Sequence, residues 1–177
     1  MGPAVRLDSG TRRSRAGATG PSHVAVMSGN PSTLTTGEKS MFCSLFLARL
    51  DLQTGVLDYA NAGHLPPYLL GAAGVTELTD ARPAMPVGAM PETTYAARSL
   101  TLQPGDGLFV YSDGITEAAN TEGVQFGETR LVAALSDLAR VHGRSLLDTV
   151  RDNVRAHCGT APQTDDIAAL LLRWTPR

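Results

Sequence analysis

The 177-residue sequence contains only two cysteines, Cys43 and Cys158, which are too few for a disulfide-rich secreted scaffold or a four-cysteine zinc site. It also lacks an excess of charge of either sign, because 15 Lys and Arg stand against 17 Asp and Glu. A chain this close to neutral gains little counterion release from nucleic acid or from an anionic membrane surface. We therefore expect neither nucleic acid nor a membrane as its partner.

Long apolar runs and nucleotide-binding loops are absent as well. The longest apolar runs, such as residues 167–172, are far too short to cross a bilayer. No glycine-rich loop ends in Gly-Lys-Ser or Gly-Lys-Thr, which excludes a P-loop. The length suits one domain with a sizeable core, so we expect a soluble, cytoplasmic globular domain.

The first part of the chain differs in composition from the rest. Residues 1–38 are rich in Gly, Ser, Thr, Pro and Arg, and they contain no alternating or helical apolar pattern. Such a segment buries too little apolar surface to offset its chain entropy, so we expect it to be flexible or loosely docked. It is interpreted as a tail, or as an artefact of where the reading frame was started. The folded domain is predicted to span residues 39–177.

Within that domain the hydrophobic pattern predicts strands first and helices later. The predicted strands cover residues 41–51, 56–62, 68–70, 75–78, 95–102 and 108–112. Helical spacing then predicts helices over 128–141 and 145–158, followed by a last, fully buried strand over 167–174. Antiparallel strands followed by two helices and one returning strand favour an α+β fold over a βαβ repeat.

Carboxylates flank two of the predicted strands. Asp113 and Gly114 directly follow one strand, and Asp165 and Asp166 directly precede the last one. If those strands are antiparallel neighbours, their carboxylates converge at one end of the sheet. Carboxylate oxygens suit a hard divalent cation such as Mg²⁺ or Mn²⁺ and suit zinc poorly. The alternative is that Asp-Gly is an ordinary turn and Asp-Asp a solvated loop, and the pattern alone leaves both open.

His64 also has two interpretations. A lone histidine after a strand is more often a hydrogen-bonded turn residue than a ligand. It would instead face a phosphate-bearing substrate if its loop lies at the same end of the sheet as the carboxylates. The sequence alone leaves both interpretations in place.

Six segments, in order, resemble one known family. They are MFCSLFLARLD (41–51), YANAGHLPPYLL (59–70), AMPVGAM (84–90), LQPGDGLFVYSDGITEAAN (102–120), EGVQFGETRL (122–131) and TDDIAALLLRW (164–174). The series resembles the bacterial metal-dependent serine phosphatases of the stage II sporulation protein E branch, within the type 2C phosphatase superfamily. The resemblance covers residues 39–174.

The resemblance implies an α-β-β-α sandwich with a binuclear Mn²⁺ or Mg²⁺ site at one rim. It assigns metal binding to Asp113 and Asp165, and it leaves Gly114, Asp166 and His64 as accessory candidates. In the family, the metals activate a water that attacks phosphoserine or phosphothreonine directly. Typical substrates of this branch are phosphorylated anti-sigma-factor antagonists, so the implied partner is a phosphorylated regulatory protein.

The sequence departs from the family pattern in its first part. Family members carry an upstream Gly-Gly-Asp-type motif and an Asp-containing, Gly-rich motif, which supply the aspartate that bridges the metals. Residues 1–40 match neither motif, and Ala168 stands where the family usually has Thr or Ser. Three alternatives follow: a phosphatase whose catalytic half is lost or encoded separately, a non-catalytic pseudophosphatase that binds a regulatory protein, or an enzyme completed by a partner subunit or a second copy of itself.

Overall fold

The computed structural model describes residues 23–36, 38–79, 85–90, 92–138 and 144–176. Within these ranges the chain forms eight strands and three helices. In chain order they are β1 (His23–Thr36), β2 (Glu38–Asp51), β3 (Val56–Ala62), β4 (Tyr68–Gly71), β5 (Gly74–Glu77), β6 (Arg98–Thr101), β7 (Gly107–Tyr111), α1 (Asp113–Thr116), α2 (Gly127–Leu138), α3 (Arg144–Cys158) and β8 (Ala169–Arg173).

The strands form two four-stranded sheets in which every pairing is antiparallel. Sheet A has the order β1-β2-β3-β6, and sheet B has the order β5-β4-β7-β8. One apolar core lies between the two sheets, and a second lies between sheet B and the helices. The predicted α+β fold with antiparallel sheets and flanking helices is therefore confirmed.

Strand β7 connects the two cores, because all five of its residues are buried. Leu108 and Val110 belong to the core between the sheets, whereas Phe109 and Tyr111 belong to the core under the helices. This division follows from the alternation of side chains along a strand. A strand covered on both faces is held firmly, so the residues that follow its last position are well placed.

The helices cover sheet B through apolar stripes of helical period. The buried positions of α2 and α3 include Leu131, Leu135, Leu146, Val150 and Val154, which recur every four residues within each helix. Below them, the rings of Tyr68 and Tyr111 stack with their centroids 5.7 Å apart. Burial raises the pKa of both hydroxyl groups, so both tyrosines remain protonated at neutral pH.

Trp174 closes the end of the sandwich where β8 finishes. Its indole Nε1 donates a hydrogen bond to the Leu52 carbonyl oxygen at 3.0 Å. The ring lies against Gly55, where an added Cβ would come within 2.7 Å of it and where φ is +74°. Only glycine suits both the backbone angle and the contact. The tryptophan therefore ties the β2–β3 turn to the end of sheet B.

The first strand is a correction to the sequence prediction. Residues His23–Thr36 were expected to belong to a flexible polar segment, but they form β1, which pairs with β2 from His23↔Asp51 to Thr36↔Glu38. The pairing uses main-chain groups, which every residue except proline offers in full, so polar composition does not prevent it. Residues 1–22 lie outside the described residues, and the predicted domain boundary at residue 39 stays a prediction.

The last strand is a second correction. It was predicted to be fully buried over 167–174, whereas β8 is shorter and exposes Ala169 and Leu170, the latter by 41%. The reason is that β8 pairs with β7 alone in the described part of the chain and stands at the edge of sheet B. The short helix α1 was not predicted, and the predicted end of the helix over 128–141 falls outside the described residues.

Candidate functional site

The segment that follows β7 and the segment that precedes β8 lie together at one end of sheet B, as the sequence predicted. Strands β7 and β8 are antiparallel neighbours, with Tyr111 opposite Ala169. The ladder continues one step further, where the Ser112 amide donates to the Ala168 carbonyl oxygen at 2.9 Å. Residues 112–114 and 165–168 therefore lie side by side, and we call these two segments the rim.

The Ser112 hydroxyl holds the two segments of the rim together. It donates to the Asp166 carbonyl oxygen at 2.9 Å and accepts a hydrogen bond from the Ala168 amide at the same distance. Gly114 completes the contact, because a Cβ at this position would overlap the Asp166 carbonyl oxygen. Sequence reasoning overlooked Ser112, since a serine between a strand and Asp-Gly carries no distinct signal.

Both candidate carboxylates sit in local turns of the rim. Asp113 is half-buried and begins α1, where its Oδ1 accepts the Gly114 amide at 3.0 Å. Asp165 is exposed, and its Oδ1 accepts the Asp166 amide at 2.7 Å. Since an ionised carboxylate offers about four acceptor sites, each side chain can still bind a ligand.

The chemistry of these donors matches a hard cation, but their number does not make a complete metal centre. Carboxylate oxygens are the ligands that Mg²⁺ and Mn²⁺ prefer. Among the residues that the structure describes, however, no group of three or more His, Cys, Asp or Glu side chains could hold a metal ion. The described residues therefore do not fit a binuclear site on their own.

His64 is a buried residue of a tight loop between the two sheets. Its amide donates to Asn61 Oδ1 at 2.8 Å, and Asn61 Nδ2 donates to the His64 carbonyl oxygen at 2.9 Å. The ring Nδ1 lies 2.8 Å from the Leu65 carbonyl oxygen, to which it can donate. These bonds are those of a turn histidine, and a role toward a substrate stays a prediction.

A cavity of about 290 Å³ opens beside the rim. It lies among the end of α3, the segment that follows α1 and the loop that leads to β8. Its lining consists of Gly114, Ala118, Ala119, Val154, Arg155, Cys158, Gly159, Ala161, Pro162, Gln163, Thr164, Asp165 and Ile167. Because the lining comes from separate segments, no single stretch of sequence indicated it.

Replacement of Ser112 by alanine is expected to lower the free energy of unfolding by about 1–2 kcal/mol, because the main-chain groups it bonds lose their partner. Urea denaturation measures the effect. Ser136→Ala is the matched control: its hydroxyl donates to the Val132 carbonyl oxygen one turn back on an exposed helix face, and its removal is expected to be neutral. Equal effects for the two variants would contradict the role of Ser112.

The family model of stage II sporulation protein E (SpoIIE) matches residues 12–175. The chain belongs to this family.

Similar proteins come from several bacteria. Protein IcfG of Synechocystis sp. is 35% identical over 136 residues, which cover 76% of this chain and 21% of that protein. The SiaA-PP2C domain of Pseudomonas aeruginosa superposes with a TM-score of 0.66 at 26% identity, covering 75% of this chain and 52% of that one. The SpoIIE phosphatase domain of Bacillus subtilis, presoaked with manganese, gives a TM-score of 0.59 at 20% identity, covering 75% and 56%.

The chain thus spans about half the length of these solved phosphatase domains and about a fifth of protein IcfG. Among the described residues, none of the helices has both the length and the apolar character needed to cross a bilayer.

Proposed function

We propose that this chain forms the C-terminal part of a metal-dependent phosphoprotein phosphatase domain, with Asp113 and Asp165 as metal ligands. The observation that carries the proposal is the rim. Two aspartates 52 positions apart in sequence follow and precede neighbouring strands, and Ser112 and Gly114 hold their segments in contact. Carboxylates on adjoining segments are an arrangement that a divalent cation can use.

Further ligands are needed to complete such a centre. Because the described residues supply no group of three candidate ligands, the proposal assigns the remaining carboxylates to chain outside the described residues or to a second polypeptide. Mn²⁺ or Mg²⁺ is the proposed cofactor. The chain's own residues contribute two acidic ligands and a rigid support for them.

The proposed substrate is a regulatory protein phosphorylated on serine or threonine, of the anti-sigma-factor antagonist type. Its support is membership of the family together with the near-neutral charge of the chain, which disfavours nucleic acid and membrane surfaces. A cytoplasmic location is part of the same proposal.

One observation favours a second candidate, a non-catalytic pseudophosphatase that binds a regulatory protein. The absence of a three-ligand group among the described residues is what such a protein would show. The two candidates differ in whether any hydrolysis depends on the rim carboxylates.

Mutation of the rim aspartates tests the proposal. Asp113→Asn and Asp165→Asn are each expected to abolish Mn²⁺-dependent hydrolysis of p-nitrophenyl phosphate. The asparagine side chain has nearly the shape of aspartate but lacks its negative charge, so it binds a hard cation more weakly. Asp152→Asn is the control, since Asp152 is an exposed residue of α3 paired with Arg151. Full activity in both rim variants would contradict the assignment.

A further inference from the structure

The cavity beside the rim has an apolar floor and a polar mouth. Gly114, Ala118 and Val154 line it from below and are buried, with Val154 only 1% exposed. The exposed lining residues form the mouth, and they are Arg155, Gly159, Pro162, Gln163, Thr164 and Asp165. A pocket of this kind favours a ligand with one apolar group and a polar remainder.

The size of the cavity limits what it can hold. Its volume of about 290 Å³ is at the lower limit of pockets that enclose small-molecule ligands, which begin at about 300 Å³. A nucleotide or an organic cofactor would not be enclosed. A single aliphatic side chain, with the main chain beside it at the mouth, is an occupant of suitable size.

The position of the cavity indicates where such a side chain would come from. Asp165 and Gly114 belong both to the rim and to the lining of the cavity. Since an extended chain advances about 3.5 Å per residue, a peptide with its phosphorylated residue at the rim would place a near neighbour at the mouth.

Arg155 adds a donor group at this mouth. Its side chain is exposed and has no carboxylate partner in the described part of α3, whereas Arg151, one turn earlier, is paired with Asp148 and Asp152. A guanidinium carries five N–H donors and no acceptor, so it can bond to the carbonyl oxygens of a bound peptide.

We propose that this cavity is a specificity pocket, which takes an aliphatic side chain located within a few residues of the phosphorylated residue of the substrate protein. Arg155 holds the main chain of the same substrate segment. The inference rests on the proposed function, because it is the rim that gives the phosphorylated residue its place. It also requires an aliphatic residue near the phosphorylated residue of the substrate, which binding at the rim alone would not require.

Short synthetic peptides test this pocket. Each contains one phosphoserine among glycines, with a single leucine placed at one of the near positions on either side, and an all-glycine phosphoserine peptide is the reference. Binding to the full chain in the presence of Mn²⁺ is measured by calorimetry. One leucine position is expected to improve affinity about tenfold, the scale of burying one such side chain.

Two matched pairs of variants localise the effect. Ala161→Phe fills the cavity and is expected to remove the gain from leucine, whereas Ala156→Phe, on the exposed side of α3, leaves it intact. Arg155→Ala weakens binding of the leucine peptide, whereas Arg151→Ala does not. Equal affinity of all leucine peptides and the reference peptide would contradict the assignment of the cavity as a specificity pocket.

A second measurement does not depend on the folding of the Ala161→Phe variant. Cys158 lines the cavity, and in a Cys43→Ser background it is the single thiol of the chain. The leucine peptide is expected to slow its modification by a small thiol reagent at least severalfold. An unchanged rate at saturating peptide would overturn the pocket.

The peptide experiments distinguish a wrong assignment of the pocket from a wrong proposed function. If serine and phosphoserine forms of the leucine peptide bind equally and protect Cys158, the pocket stands and the phosphate site at the rim is wrong. If phosphoserine peptides bind irrespective of leucine, the rim stands and the pocket is wrong. The absence of binding by any of the peptides would contradict both.

Discussion

Replacement of Gly114 by alanine is expected to lower the free energy of unfolding by about 3 kcal/mol, the upper part of the usual range for overpacking. The added Cβ would overlap the Asp166 carbonyl oxygen, which is a main-chain atom fixed by its bond to Ser112. Gly114 lies in α1 and has no positive φ, so helix propensity alone would favour alanine there. The whole expected loss is therefore steric.

Urea denaturation followed by the fluorescence of Trp174, the one tryptophan of the chain, measures this loss. Gly71→Ala is the matched control, because the atom nearest to its added Cβ is Asp106 Oδ1, the end of a side chain that can move. We expect it to cost less than about 1 kcal/mol, below the usual range for overpacking. Equal stability of Gly114→Ala and the wild type would show that the two segments of the rim do not approach each other closely.

Replacement of Phe109 by alanine is expected to cost about 3–5 kcal/mol, because it removes a fully buried aromatic ring and leaves a cavity. Phe109 lies in the central strand β7 and contacts Tyr111, with ring centroids 5.9 Å apart. The expected cost is a large part of the 5–15 kcal/mol that stabilises a typical domain.

Thermal or urea unfolding of this variant is compared with that of Leu170→Ala on the neighbouring strand. Leu170 is 41% exposed at the edge of sheet B, so its truncation is expected to cost less than about 1.5 kcal/mol. A similar loss in both variants would contradict the placement of Phe109 in the core and of Leu170 at the exposed edge of sheet B.

Local hydrophobic patterns in the sequence predicted the strands and helices around the rim. The sequence predicts a strand over residues 108–112, where β7 forms over Gly107–Tyr111, and the stripes of α2 and α3 follow helical spacing. The placement of Asp113 and Asp165 required one further condition, that β7 and β8 are antiparallel neighbours. The structure meets that condition.

Other features depend on tertiary contacts that no local pattern carries. Strand β1 forms from a polar segment because β2 offers a main-chain ladder, and the exposure of Leu170 follows from the position of β8 in the sheet. The cavity beside Asp165 requires parts of the chain that are far apart in sequence to meet. No local pattern marks Arg155, because its place in the lining depends on the same contacts.

The central claim is that the rim of this chain is one part of a metal centre, with Asp113 and Asp165 acting together. Calorimetric titration of the full chain with Mn²⁺ tests it most directly, alongside Asp113→Asn, Asp165→Asn and the control Asp152→Asn. The account predicts Mn²⁺ binding that is lost in either rim variant and that is unchanged in the control. Binding that survives both rim substitutions, or that Asp152→Asn also removes, would contradict it.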